Sequence, residues 1–260
     1  MKIVTFNANS IRARLPLILT WIDQNQPDIL AVQETKVQDD AFPSSDFKSM
    51  GYSAVFSGQK AYNGVAVISR QPPDDVVYGF DDQSEKPRLI RCRFGDLHII
   101  NSYVPQGRDR ESEYYQYKLN WLRRMHDLLQ INYTPETNLI WLGDLNVAPD
   151  PEDVYDPKNL DGHVCFNSEL SELFRHICEW GLHDVFRKHH PEPGHFTFYD
   201  YRMRGSVSRN NGWRIDHILA TRSMYALSED AWIDLDARQS KDPKPSDHTF
   251  LTALFRQSES

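Results

Sequence analysis

An acid and an amide stand two residues apart where an apolar run breaks off, in Asn138-Leu-Ile-Trp-Leu-Gly-Asp144-Leu-Asn146. Side chains two apart on an extended chain point the same way, about 7 Å apart, so Asp144 and Asn146 project together from the rim of a sheet. Turn preference alone also accounts for Asp and Asn at such a point. The pattern gains weight from its repetition. The apolar run Lys2–Phe6 ends at Asn7, and Asp28–Gln33 ends at Glu34. Later, Arg214-Ile-Asp216 carries a further acid, and Lys244-Pro-Ser-Asp247-His248 sets an acid beside an imidazole. Oxygen donors gathered at strand ends suit a hard cation such as Mg²⁺. Asp247 and His248 face opposite ways on an extended backbone, so one can reach a metal while the other reaches a substrate.

These groups need strands and helices to hold them. The runs Lys2–Phe6, Asp28–Gln33 and Leu139–Leu142 lack polar alternation and read as strands buried on both faces. Ile11–Gln26 reads as an amphipathic helix with Leu15, Ile18, Leu19 and Ile22 on its apolar face and Arg12 and Arg14 solvated at its mouth. Tyr52–Phe56 and Gly64–Ser69 read as strands around Gly58–Asn63, and Arg88–Phe94 with Leu97–Tyr103 as a hairpin. Tyr103 opens another polar strand exit, Val-Pro-Gln-Gly-Arg108. Glu111–Ile131 is a long helix whose stripe Tyr115, Leu119, Leu122, Met125 and Leu129 is core, and Ser168–Trp180 is a helix capped by Gly181. The acid- and proline-rich stretch Ala148–Gly162 reads as a solvated loop, and nothing nearby marks His189-His190 as metal ligands. His195–Trp213 interleaves aromatics with Arg202, Arg204 and Arg209, with Arg214 next, a mixture suited to a phosphate backbone and exposed rings. Arg214–Leu219 and Thr249–Phe255 read as the last strands. Paired strands with helices between them predict an α/β fold, two packed sheets with helices outside.

The chain of 260 residues fits one such domain, and no linker or repeat divides it. No apolar run is long enough for a membrane span and the N-terminus goes straight into a strand, so a cytoplasmic protein is expected. Three cysteines, Cys92, Cys165 and Cys178, give no pairing pattern for a disulfide or zinc framework. A net charge of −8 disfavours polyanion binding only if spread evenly; acids gathered in one metal pocket produce the same total.

Seven stretches together resemble the bacterial exonuclease III family, the abasic-site endonuclease branch of the endonuclease/exonuclease/phosphatase superfamily. They are Phe6–Arg14, Leu30–Lys36, Gly58–Lys60 with Asn63–Ala66, Tyr103–Gly107, Gly143–Asn146, Gly212–Asp216 and Lys244–His248. The resemblance spans the chain and implies a four-layer α/β sandwich, two mixed sheets flanked by helices, with the active site at one end. It implies Mg²⁺, with Mn²⁺ able to substitute, on Glu34 with Asn7 and Asp247, and with Asp144 and Asn146 beside it. Asp216 would orient His248 against the scissile phosphate, Asp144 would activate or orient water, with a metal-bound hydroxide the other candidate base, Asn146 would hold phosphate or water, and Tyr103 would contact phosphate. Phe198, Trp213 and Ile215 would form the pocket for a flipped-out abasic sugar, and Arg12, Lys36, Arg108 and the arginines of 202–214, Arg202 among them, would grip duplex DNA without reading sequence. The implied reactions are cleavage 5′ to abasic sites, removal of 3′-blocking groups and 3′→5′ degradation of duplex DNA; a monomer is the default expectation.

The sequence departs from the family at the pocket, where Phe198 replaces a frequent Trp and Trp213 stands where some relatives have Leu. Asp161–Asn167, here with His163, Val164 and Cys165, falls where abasic-site enzymes differ from relatives restricted to 3′-end processing. That restricted activity is one alternative. A phosphoesterase for inositol phosphates or sphingomyelin is another, disfavoured by the aromatic-arginine stretch. A non-catalytic DNA-binding relative would have lost site acids, and none is lost here.

Overall fold

The computed structural model describes residues 1–256. Two six-stranded sheets lie face to face between helical layers. The first contains β1 (Lys2–Asn7), β2 (Ile29–Gln33), β3 (Ser53–Ser57), β4 (Val65–Ser69), β11 (Ser228–Ile233) and β12 (Leu251–Phe255), in the order β11-β12-β1-β2-β4-β3. The second contains β5 (Asp75–Tyr78), β6 (Leu89–Phe94), β7 (Leu97–Tyr103), β8 (Leu139–Asp144), β9 (Leu182–Asp184) and β10 (Asp216–Thr221), in the order β5-β6-β7-β8-β10-β9. Each sheet has one parallel pair, β1 with β2 and β7 with β8, and is otherwise antiparallel. A crossover helix joins each parallel pair, as parallel strands require: α1 (Ile11–Asn25) in the first, α3 (Glu113–Asn132) in the second, with α2 (Ser44–Ser49) lying between them in sequence. The two sheets thus share a central topology that the sequence does not display as a repeat.

The unalternating apolar runs have the expected cause. Ile3, Ala31, Ile140 and Leu142 enter the layer between the sheets. Their neighbours Val4, Leu30 and Val32 pack under α1, and Leu139 and Trp141 pack under α3 and α5 (Ser168–Glu179) after the short α4 (Pro157–Leu160). The expected stripe of α3 is buried throughout. On α1 the buried face runs through Ile11, Arg14, Leu17, Ile18, Trp21 and Ile22, so Leu15 and Leu19 sit at its margin rather than its centre.

Other expectations need correction. Arg14 is not solvated; it is buried and donates from Nη2 to the Tyr201 hydroxyl at 2.9 Å. The stretch Ala148–Gly162 is not a simple solvated loop, because Asp153 and Val154 are buried within it. Asp153 meets Arg214, which is 1% exposed and donates at 2.7 Å to Asp153 from Nε and to Asp184 from Nη1. Arg214 therefore cannot grip a phosphate backbone. The strands β5, β9 and β11 carry no signal in the sequence pattern; they are short or bear exposed polar residues. Short helices α6 (Val185–His189), α7 (Arg222–Leu227) and α8 (Leu235–Gln239) complete the described chain. Among the described residues, no helix is long and apolar enough to cross a membrane.

Candidate active site

Strand register brings the sequence-predicted acids to one end of the sandwich. In the second sheet, Tyr103 of β7, Asp144 of β8 and Asp216 of β10 are direct neighbours across the ladder. In the first, Asn7 pairs with Gln33 at the ends of β1 and β2, so Glu34 comes next at the rim. Gly143 makes the close approach possible: its φ is 140°, and a Cβ there would lie 2.0 Å from the Ser102 carbonyl oxygen. Glu34 (φ 50°), Lys36 (φ 55°), Arg108 (φ 55°) and Asn146 (φ 51°) adopt the left-handed region. Such strained backbone in non-glycine residues costs about 1–3 kcal/mol each and is held here by the surrounding network.

The amide nitrogen of Asn7 donates at 2.8 Å to both Glu34 and Asp144, linking the two sheets. Its oxygen accepts from the Asn9 backbone N–H at 2.9 Å, so Asn7 holds the two carboxylates together and turns its own oxygen away from them. Glu34 also pairs with Lys36 at 2.6 Å. Asn9 donates to Asp247 at 3.0 Å, and Lys36 donates to Asn9 at 2.5 Å. Lys36 thus faces the acids rather than an open groove. Asn146 donates from its backbone to Asp144 at 3.0 Å and from its side chain to the Val104 carbonyl at 3.0 Å.

Asp247 and His248 do face opposite ways. Asp247 meets Asn9, while His248 Nδ1 lies 2.8 Å from Asp216 Oδ2. Because Asp216 accepts, Nδ1 carries a hydrogen and the imidazole is oriented with Nε2 outward, 3.8 Å from Asp144. Burial alone would lower the His248 pKa, but the charges of Asp216 and Asp144 outweigh it and raise it to about 10. Asp144 is pushed up to about 7, first by burial, then against the pull of His248 by the charges of Asp216 and Glu34. Tyr103 is held well above its ordinary value by burial and by Glu34 and Asp144, so its phenol stays protonated and can donate. Asp216 Oδ1 is buried with no partner among the described residues.

Beside these groups runs a cleft of about 560 Å³ that also takes in Phe198, Trp213, Ile215, His163, Arg108 and Arg202. Phe198 and Trp213 exchange backbone hydrogen bonds of 2.9 Å, and the Phe198 ring lies 4.9 Å from that of His248. His163 packs its ring 4.6 Å from Trp213. Arg108 stacks over Tyr114 at 3.8 Å, and Arg202 is exposed and paired with Asp200. Arg12 is exposed on the first turn of α1, outside the cleft lining.

The chain belongs to the endonuclease/exonuclease/phosphatase family. The family's pattern, described as Endonuclease/Exonuclease/phosphatase family, matches residues 4–248. Exodeoxyribonuclease III of Haemophilus influenzae is 33% identical over 270 aligned residues, covering 98% of this chain and 100% of the relative. An AP endonuclease structure from Archaeoglobus fulgidus superimposes with a TM-score of 0.96 at 46% identity, covering 99% of this chain and 100% of the other. The 3′ phosphatase NExo from Neisseria, solved with a product DNA hairpin, gives 0.93 at 36% identity, covering 99% and 100%. Within the family the chain falls in the exonuclease III and AP endonuclease branch, and it is a DNA repair nuclease.

The donor set fits the metal of a metal-dependent nuclease. Glu34, Asp144, Asp216 and Asp247 line or adjoin one cleft against the cations Lys36 and His248, the donors are all oxygen, and Asp216 keeps an unpartnered oxygen. That is the chemistry of a hard divalent ion.

Two groups at the site carry roles that the sequence pattern did not single out. Gln33 and Asn101 form a buried polar layer beneath it: Gln33 donates to Asn101 at 2.7 Å, and Asn101 donates to the Val32 and Ala66 carbonyls at 3.1 and 2.8 Å. Lys118, fully buried on α3, donates to the carbonyls of Gln106, Asn146 and Val164 at 3.2, 2.7 and 2.6 Å. A lysine inside an apolar stripe was the available signal, since an unpaired buried charge is not tolerated.

Proposed function

We propose that this nuclease hydrolyses the DNA backbone 5′ to abasic sites, removes 3′-blocking groups and degrades duplex DNA from 3′ ends, with Mg²⁺ as its ion and Mn²⁺ able to substitute. All three reactions break the same P–O3′ bond and differ only in the group on the far side of the phosphate. The supporting observation is the opening between His248 Nε2 and Asp144 Oδ2, 3.8 Å apart, beside the apolar wall of Phe198, Trp213 and Ile215. This gap is too long for a direct hydrogen bond, so Nε2 can face a phosphate while Asp144 Oδ2, which already accepts from Asn7, keeps lone-pair capacity for a water.

The ion would be held by Glu34, with Asp247, Asp144 and Asn146 around it and Asn7 holding the Glu34 and Asp144 carboxylates in place rather than ligating, and would offset the charge of the acids and of the phosphate oxygens. Asp144, high in pKa for a carboxylate, accepts the proton of the attacking water. His248, held cationic by Asp216, donates from Nε2 to a phosphate oxygen as negative charge builds there. Tyr103 donates its hydroxyl to the phosphate, and Asn146 orients phosphate or water. The apolar wall receives an extruded sugar that carries no base, the nucleotide that is easiest to unstack. Arg108 and Arg202 hold backbone from the cleft, with Arg12 farther along the same duplex.

A second reading has its own observation. His163 packs its ring at a tilt against Trp213 at the pocket wall, and burial lowers its pKa so that it stays neutral. A ring there narrows the space for an abasic sugar and favours activity restricted to 3′ ends. An end-labelled duplex with one stable abasic analogue, run beside a duplex with a recessed 3′ end, each with Mg²⁺ and with EDTA, separates the readings. A Mg²⁺-dependent cut immediately 5′ to the analogue supports the first. Trimming of 3′ ends without that cut supports the second, and no cleavage of either duplex refutes both.

A further inference from the structure

The segment that carries Phe198 begins at a group of residues unconnected with hydrolysis. His190, Glu192 and His195 have ligand-capable atoms within 4.8 Å of one another. The sequence supplied no partner for His190 because the residues concerned lie on a turn, Pro191-Glu192-Pro193-Gly194, where helical and strand spacing rules do not apply. We propose that His190, Glu192 and His195 form a zinc site that fastens the start of the 195–213 segment to α6 and β11.

The tautomer of His190 is the first argument. Its Nε2 lies 2.7 Å from the Ala231 carbonyl oxygen of β11. A carbonyl only accepts, so Nε2 carries the hydrogen and a neutral ring presents a lone pair at Nδ1. That lone pair lies 3.4 Å from Glu192 Oε1, where two acceptors repel unless a cation or a proton joins them. A backbone carbonyl on the far ring nitrogen is also the usual means of orienting a ligand histidine.

Spacing is the second argument. With Zn–N and Zn–O distances of about 2.0–2.1 Å, tetrahedral ligands sit roughly 3.4 Å apart. The His190–Glu192 separation is 3.4 Å, and His195 Nε2 approaches the same Glu192 oxygen at 2.9 Å. Small side-chain rotations would complete the geometry, since Glu192 is more than half exposed.

The frame around the three groups is rigid. His190 stacks on buried Phe186 at 4.8 Å, and His195 meets the same ring edge-on at 5.6 Å. Arg187 donates from Nη1 to the carbonyls of His190 and Glu192 at 3.1 and 2.7 Å, and Asn210 donates to that of Gly194 at 2.8 Å. Two prolines fix φ on either side of Glu192. Two imidazoles and one carboxylate select zinc over magnesium, which prefers oxygen donors alone. An ion bound only by the folded chain stabilises it.

The test uses the full-length protein in saturating Mg²⁺, titrated with Zn²⁺ by calorimetry, with melting followed in parallel. Glu192→Gln and His195→Asn are compared with the unaltered chain. A Glu34→Ala background weakens the cleft as a metal site, and because Glu192→Gln and His195→Asn leave the remaining cleft acids and His248 untouched, zinc held there shows as binding that these variants do not change. One equivalent of Zn²⁺ should bind in that background and raise Tm, with affinity at least tenfold weaker in either variant. Glu192→Gln leaves both rings in place and alters an exposed side chain, and circular dichroism checks its fold. Unchanged zinc binding in both variants, or no zinc bound by the parent, would overturn the proposal in favour of a plain His–Glu ion pair.

Discussion

Replacing Asp216 with Asn isolates the charge that keeps His248 cationic. The amide oxygen can still accept from Nδ1, so orientation survives while the negative charge is lost. His248 stands at about 10 because Asp216 and Asp144 together overcome burial. If the change returns it to its ordinary 6.5, the protonated fraction at pH 8 falls to roughly 3%, a loss of about 30-fold. At pH 6 about three-quarters remains protonated and the loss from this source is roughly 1.3-fold. In the variant burial still pushes the imidazole down and the remaining charge of Asp144 still pushes it up, so about 30-fold at pH 8 is an order-of-magnitude expectation. The assay is single-turnover cleavage of a labelled duplex in saturating metal between pH 6 and 8.5, with variant and parent compared at each pH. The ratio of rates should approach unity as pH falls. A deficit of the same size at every pH would show that Asp216 acts by position alone and refute the protonation argument.

Glu34→Ala should abolish metal-dependent cleavage while gel-shift binding of duplex DNA persists; normal cleavage would remove Glu34 as the principal ligand. His163→Gly should open the wall beside Trp213 and raise cutting at an abasic analogue at least tenfold relative to 3′ trimming, measured on paired substrates. Arg214→Leu should cost about 3–5 kcal/mol in urea unfolding, because it takes the buried guanidinium from half-buried Asp184 and leaves buried Asp153 to Arg187. Burial alone would raise both carboxylates, yet Arg214 holds them below the usual range. Their contribution is therefore present above the ordinary carboxylate pKa and lost as pH falls through the depressed native values. In the Leu variant the acids protonate more readily, so its deficit against the parent should shrink as pH is lowered toward 4.

The cleft was legible in the sequence because its residues end strands buried on both faces. An unbroken apolar run that stops at Asn7, Glu34 or Asp144 marks a strand exit without reference to any distant residue. Phe198, Trp213 and Ile215 came from the family resemblance, and strand geometry then placed them at one wall. Arg214 was misread because its partners Asp153 and Asp184 lie 61 and 30 residues away, and an arginine among aromatics looks the same whether buried or exposed. Arg14 failed likewise, its partner Tyr201 being 187 residues distant. Lys36 was expected on DNA, yet its position beside Glu34 directs it to the acids. The strands β5 and β9, of four and three residues, carry too few side chains for alternation to register.

Hydrolysis at the P–O3′ bond by attack of water on phosphorus is tested most directly with isotope. Cleavage of an abasic-analogue duplex in H₂¹⁸O, with mass spectrometry of both fragments, locates the new oxygen. One ¹⁸O should appear in the 5′-phosphate of the downstream fragment and none in the 3′-hydroxyl of the upstream one. Label in that hydroxyl, or an unsaturated 3′ end formed by elimination, would contradict the account.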